Sequence, residues 1–316
     1  MQFQKAAVIG TGMMGPGIAC RLACGGVRTT LISRTAEGAR QGLEKAWAML
    51  DLLEDHALIE ESTAGMAEDL IRSSHDPREG VAEADLVIES APENMEFKQG
   101  LFAELEEMTA DTCVLASNTS GLSITAIAAR CERPERVLTT HFWNPPHLMP
   151  LVEIVKGERT SDEVAQAVRG LMKQCGLVPV MVKKDRPGQL GNRMQMALVR
   201  EAVHIVAEGI ADAEDVDTAA KLGFGLRLPV YGVLEHQDLV GLELGHAVCD
   251  YVARDLCNEP NAPALYAEKL AKGEKGAAAG RGFHDWTARS AAVVQARRDR
   301  FLVECLERGL LKDYSG

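Results

Sequence analysis

Ala6–Gly26, AAVIGTGMMGPGIACRLACGG, is the stretch on which the fold turns. Ala6–Ile9 is a short apolar run suited to a buried strand, and it passes directly into Gly10, Gly12 and Gly15 and then into a helical pattern. Glycines so spaced between a strand and a helix have a mechanical reading. The first permits a tight turn, the second lets a pyrophosphate approach the backbone, and the third lets the helix pack closely on the strand. With the strand-like TTLIS (Thr29–Ser33) following, the pattern predicts a dinucleotide site on Gly10, Gly12, Met13, Met14 and Gly15.

Beyond this unit, apolar runs alternate with helical segments. Ala84–Ser90, Cys113–Ala116, Val137–His141, Leu151–Val155 and Val178–Val182 read as strands. Ala36–Asp69 reads as helical, with Leu43, Trp47, Leu50 and Leu52 or Leu53 toward the core. Such alternation predicts an α/β fold, a doubly wound Rossmann-type parallel sheet with its ligands at the carboxyl ends of the strands. After KKDRPG the alternation stops, because Pro187 and Gly188 break the last strand and only helical patterns follow. The expected division is a dinucleotide-binding domain over residues 1–186 and an all-helical C-terminal domain over 187–316.

The totals narrow the function. A chain of 316 residues has room for two domains, and 46% hydrophobic with 25% charged residues is ordinary for a globular protein. A net charge of -12 argues against a general nucleic-acid or anionic-membrane binder. The eight cysteines form no Cys-x-x-Cys pair, so buried, reduced thiols, a cytoplasmic setting and no metal site are expected. Glycine and proline interrupt the apolar start, and no membrane-length run follows.

The second strand of such a fold usually ends in an acid that binds the adenosine ribose. TTLISRT instead offers Ser33 with Arg34 beside it. Without the carboxylate a 2′-phosphate is no longer repelled, and a hydroxyl and a cation are there to hold it. The expected cofactor is therefore NAD(P), with NADP(H) favoured over NAD(H). The competing reading places Arg34 over the adenine or in water.

The polar chemistry gathers in Ala116–Val155, where Ser120, His141, Asn144 and Glu153 follow one another at the ends of apolar runs. An imidazole titrates near neutrality, a carboxylate can orient it, and hydroxyl and amide groups can hold an oxygen. These residue types suit proton transfer beside a carbonyl. The plainer reading of a lone His before Asn-Pro-Pro is a turn residue.

The segments SNTS, HFWNP and LVE resemble the catalytic region of the 3-hydroxyacyl-CoA dehydrogenase family, and PGQLGNR and RGFHDW extend the likeness over nearly the whole chain. The resemblance implies that His141 is the base, Glu153 its orienting partner, and Ser120 and Asn144 the groups that bind the reacting oxygen, with Asn192 of PGQLGNR matched to a further Asn of the catalytic set. It also implies Glu93, Lys98 and Asn118 along the cofactor, although Lys98 also reads as an ordinary surface lysine of a helix start. A homodimer through the helical half comes from the resemblance alone.

Two departures bear on the substrate. Relatives acting on CoA thioesters commonly carry lysines after the second strand, whereas this chain reads LLEDHALIEESTAGMAED over Leu52–Asp69, which would repel a phosphate tail. Arg227 could clamp a substrate carboxylate, or it could serve a buried ion pair or the surface. The expected activity is interconversion of a 3-hydroxy group and a ketone on a small 3-hydroxy acid or related alcohol. The alternatives are a CoA thioester as substrate and a non-catalytic cofactor-binding protein.

Overall fold

The structure is a computed structural model and describes residues 1–309. The strands are β1 (Lys5–Ile9), β2 (Arg28–Ile32), β3 (Ile71–Ser74), β4 (Leu86–Glu89), β5 (Val114–Ser117), β6 (Val137–Phe142), β7 (Leu151–Lys156) and β8 (Val178–Val182). They form one eight-stranded sheet in the order β3-β2-β1-β4-β5-β6-β7-β8. The chain winds outward from β1 through β2 and β3, then returns to the other side of β1 with β4. That reversal opens a crevice at the carboxyl ends of β1 and β4.

One pairing differs from the all-parallel expectation: β7 runs antiparallel to β6, while β8 is again parallel to β7. The physical reason is the connection. Only residues 143–150 join β6 to β7, too few for a crossover helix, so the strand must fold straight back. β3 was not foreseen either. Its sequence, IRSS, buries Ile71 alone and offers no apolar run to read.

The helices of this part are α1 (Gly15–Cys24), α2 (Ala36–Asp55), α3 (Glu61–Leu70), α4 (Pro77–Val81), α5 (Met95–Met108), α6 (Ile124–Ile127) and α7 (Asp162–Gln174). Their starts are written locally. Thr35 caps α2 by accepting from the Gly38 N–H, Asn94 caps α5 at Phe97, and Ser161 caps α7 at Val164. α2 buries Ala46, Leu50 and Leu53, with Leu43, Trp47 and Leu52 packed at the edge of the same core, as its periodicity predicts.

Side chains of the central strands alternate between two cores. Ala6, Val8, Leu86 and Ile88 enter one, and Ala7 and Val87 enter the other. Both faces are covered, which is why these strands read as continuous apolar runs rather than alternating ones. Most cysteines share this interior, where burial pushes the Cys113 and Cys175 thiols up to about 12; Cys249 is the exposed exception.

The remaining helices are α8 (Gly191–Ala207), α9 (Ala213–Leu222), α10 (Val233–Val240), α11 (Leu242–Val252), α12 (Ala264–Ala271) and α13 (Ala291–Glu307). By packing, the first compact unit comprises Met1–Arg193 and takes up the chain again from Asp299, and the second is Met194–Arg298. The division thus falls beyond the Pro187–Gly188 break, because residues 189–192 are hydrogen-bonded into the first unit. The end of α13 also belongs there: Val303 is 4% exposed within its core. No helix of the described residues is long and apolar enough to cross a membrane.

Candidate active site

The sheet register explains why two residues twelve apart in sequence meet. In the antiparallel β6–β7 pair, His141 lies directly opposite Glu153. Directly opposed residues put their side chains on the same face within reach of each other. The His141 Nδ1 and Glu153 Oε2 stand 2.6 Å apart, with His141 5% and Glu153 0% exposed.

Glu153 is supplied with donors on both oxygens. Oε2 also accepts from the Trp143 indole N–H at 3.3 Å, and Oε1 accepts from the backbone N–H groups of Leu190 at 3.0 Å and Gly191 at 2.8 Å. Burial alone would push its carboxyl up. The His141 hydrogen bond, then the Gly191 and Leu190 amides, outweigh that and hold it below the ordinary carboxylate range. Glu153 is thus an anion fixed against one ring nitrogen, and Trp143 packs beside that ring with centroids 5.4 Å apart.

A second network shapes the loop after β5. Glu89, at the end of β4 and fully buried, accepts from Ser117 Oγ at 2.6 Å and from Lys98 Nζ at 2.6 Å. Lys98 is itself 1% exposed and reaches Glu93 at 3.5 Å. Glu93 accepts from the Thr119 hydroxyl and from the Ser120 and Gly121 N–H groups, which sets the course of the loop. Asn118 ties the loop to β6, its Oδ1 accepting from the Phe142 N–H at 2.8 Å and its Nδ2 facing Ser90 Oγ at 3.3 Å.

The residues singled out from sequence therefore fall into three groups. His141 and Glu153 form the buried pair; Ser120, Asn192, Glu93, Lys98 and Asn118 belong to the adjoining network, with Asn192 Nδ2 donating to the Ser120 carbonyl at 2.8 Å. Lys98 is a buried ion-pair partner rather than a surface lysine. Asn144 is exposed beside a cis Asn144–Pro145 bond and makes no side-chain hydrogen bond among the described residues. Arg227 lies in the second unit, exposed, with its guanidinium 5.9 Å from the Tyr231 ring centroid.

Glu89, Trp143 and Gln189 belong to these networks without being among the residues expected from sequence. For Glu89 a signal existed: a carboxylate closing the apolar run ADLVIE has no solvent to face. For Trp143 and Gln189 there was none, since their roles rest on contacts made only after folding.

The glycine loop fits a dinucleotide. Gly10 has φ +109°, and a Cβ there would meet the Ser90 carbonyl oxygen at 2.5 Å, where β1 and β4 adjoin. A Cβ on Gly15 would strike the Gly10 carbonyl oxygen, the close packing expected of the third glycine. Gly12 has nothing within 4 Å on that side, and no side chain caps α1, so the backbone N–H groups at its start remain for a phosphate. Met13 is 72% exposed beside them. At the end of β2, Ser33 accepts from the Thr11 hydroxyl at 3.2 Å, and Arg34 is exposed without an ion pair among the described residues.

Known proteins resemble the chain over nearly its whole length. Residues 5–186 match the family model described as 3-hydroxyacyl-CoA dehydrogenase, NAD binding domain, and residues 165–286 match its C-terminal domain. The chain is 36% identical, over 95% of its length and 96% of the other, to the 5-formyl-3-hydroxy-2-methylpyridine 4-carboxylate 5-dehydrogenase of Mesorhizobium japonicum. It is 31% identical to the L-carnitine dehydrogenase of Bacillus cereus over 98% of its own length and 93% of that protein. Among solved structures, a 5-formyl-3-hydroxy-2-methylpyridine 4-carboxylic acid 5-dehydrogenase described as an NAD+ dependent dismutase superposes with a TM-score of 0.91 at 33% identity, covering 98% of this chain and 99% of that one.

Proposed function

The chain belongs to the 3-hydroxyacyl-CoA dehydrogenase family, and from that premise we propose that it interconverts a hydroxyl and a carbonyl on a small 3-hydroxy acid or related alcohol, with His141 as its base. The observation that carries the reading is the buried His141–Glu153 pair at 2.6 Å.

A bound nicotinamide supplies the acceptor or donor of hydride. With Nδ1 committed to Glu153, Nε2 is the ring nitrogen left to take the proton of the substrate hydroxyl. Glu153 orients the ring and offsets the charge that the imidazole gains; its own four donors keep it ionised while it does so. Ser120, Asn144 and Asn192 are assigned to the substrate oxygen, whose charge changes as hydride moves.

A free acid is favoured over a CoA thioester by the charge on α2 and α3. A cavity of about 130 Å³ there is lined by Asp51, Glu54, Glu61 and Glu68 around Trp47. An anionic nucleotide tail would meet four carboxylates, whereas a small acid has no need to reach them. Two of the relatives are named for small molecules rather than for thioesters. NADP(H) is favoured over NAD(H) by Ser33 and by Arg34, which has no ion pair among the described residues, at the end of β2. Arg227 is carried as the clamp for a substrate carboxylate.

The test is nicotinamide absorbance with a panel of free hydroxy acids, L-carnitine among them, beside 3-hydroxybutyryl-CoA, each with both cofactors. A free acid is expected to turn over fastest and with higher kcat/KM for NADP+ than for NAD+. Turnover confined to the thioester selects the alternative substrate, and a reversed cofactor order removes the NADP(H) preference. Repeated with Arg227→Met, the panel should show a raised KM for the acid; an unchanged one discards the clamp.

A homodimer through the second unit is proposed on its apolar surface. α9, α10, α11 and α12 bury no residue, and Val230, Leu234, Leu239, Leu242 and Tyr251 are all exposed. So many large apolar side chains on one unit ask for a partner surface. Sedimentation equilibrium is expected to give twice the chain mass and, for Leu234→Glu with Leu239→Glu, the chain mass itself. A monomeric parent protein would end the proposal.

A further inference from the structure

Gln189 carries two local costs at once. Its backbone lies at φ +54°, in the left-handed region that a residue with a Cβ adopts reluctantly. Its side chain is 4% exposed, and although Nε2 donates to the Thr119 carbonyl at 2.8 Å, Oε1 has no hydrogen-bond partner among the described residues. Turning the amide over gives no relief, since two acceptors, Oε1 and the Thr119 oxygen, would then face each other. Glycine would adopt this backbone freely, and an apolar side chain would remove the stranded acceptor. A residue kept under both penalties points to a position held for function.

What it holds is visible beside it. Gly188 is also left-handed, at φ +75°, so the chain turns sharply after Pro187. The next two N–H groups, Leu190 and Gly191, then reach Glu153 Oε1. Gly191 lies against Trp143, since a Cβ there would come within 2.4 Å of the indole Cζ2. Asn192 and Gln189 meanwhile donate to consecutive carbonyls, Ser120 and Thr119, of the loop after β5. One turn therefore touches the carboxylate with its backbone and the oxygen-binding loop with its side chains. Of the two ties to that loop, the one from Gln189 is buried and the one from Asn192 is exposed.

We propose that Gln189 is a positioning residue for the His141–Glu153 pair, its amide fastening the Pro187–Gly191 turn to Thr119 so that Leu190, Gly191 and Trp143 keep Glu153 aligned on the imidazole. Only the kinetic arm of the test rests on the reading of His141 as base. The variants are Gln189→Met, which keeps the size and loses the donor, and Gln189→Gly, which relieves the backbone and loses the donor as well.

The indole N–H resonance of Trp143, identified by its loss in Trp143→Phe, should move in both variants while that of Trp286 in the second unit stays in place. kcat should fall about 10- to 100-fold, the scale on which small misplacements act, with KM for the nicotinamide cofactor unchanged. An unmoved Trp143 resonance overturns the proposal, as does wild-type kcat in Gln189→Gly. Should methionine not be tolerated, Gln189→Leu, which also loses the donor and adds no charge, carries the same comparison. If the wild-type enzyme turns over nothing in the substrate panel, the functional reading fails, and the Trp143 resonance alone decides the role of Gln189.

Discussion

His141→Ala should lower kcat by at least ~100-fold, the lower end of what a positioned general base contributes, while the affinity for NAD(P)H stays as it was. Two parts of the structure separate these effects. The glycine loop is built from Gly10, Gly12 and Gly15 at the end of β1, whereas His141 lies near the end of β6, so removing the imidazole leaves the nucleotide cradle untouched. The fold should also tolerate the change. Glu153 loses its closest donor but keeps the Leu190 and Gly191 amides and the Trp143 indole, so it is not left as a bare buried charge. Steady-state turnover on whichever panel substrate is active, together with fluorescence titration by NADH and NADPH, measures both quantities. Near-normal turnover would remove His141 from the mechanism and return it to the status of a strand-end histidine.

Lys98→Met should destabilise the first unit by about 3–5 kcal/mol, the usual cost of leaving one member of a buried ion pair alone. Lys98 is 1% and Glu89 0% exposed, and their charged atoms stand 2.6 Å apart. Without the ammonium, Glu89 keeps only the Ala91 N–H and the Ser117 hydroxyl, which satisfy lone pairs without offsetting its charge. Glu93 loses its cation too, and with it part of the hold on the Thr119–Gly121 loop. The urea transition should therefore move to lower concentration, and most of the loss should return when Glu89→Gln is added, because the double variant buries no charge. A single variant as stable as the parent would mean that Lys98 reaches water and that the network around Ser120 is held by other means.

The outline of the fold could be read because its signals are local. The glycine spacing after β1 and the capping residues Thr35, Asn94 and Ser161 each act within a few residues of themselves. Short runs rich in apolar and β-branched residues mark seven of the eight strands, and the runs are continuous where both faces of the sheet are covered, as in β1 and β4. β3 has no such signal, because an edge strand of four residues buries too little to leave a pattern. The division at Arg193 has no local mark, since the breakers Pro187 and Gly188 show where the strand stops, not where hydrogen bonding into the first unit ends.

The chemistry divides along the same line. The chain itself, by the order and type of its residues, determined that an imidazole, a carboxylate and a dinucleotide loop occur together, for a motif carries its chemistry in adjacent side chains. That His141 stands opposite Glu153, that four donors from two separate segments converge on that carboxylate, and that Lys98 is sealed between Glu89 and Glu93 were decided only by tertiary structure. Strand register and turn geometry set those meetings, and both depend on packing between segments far apart in the chain.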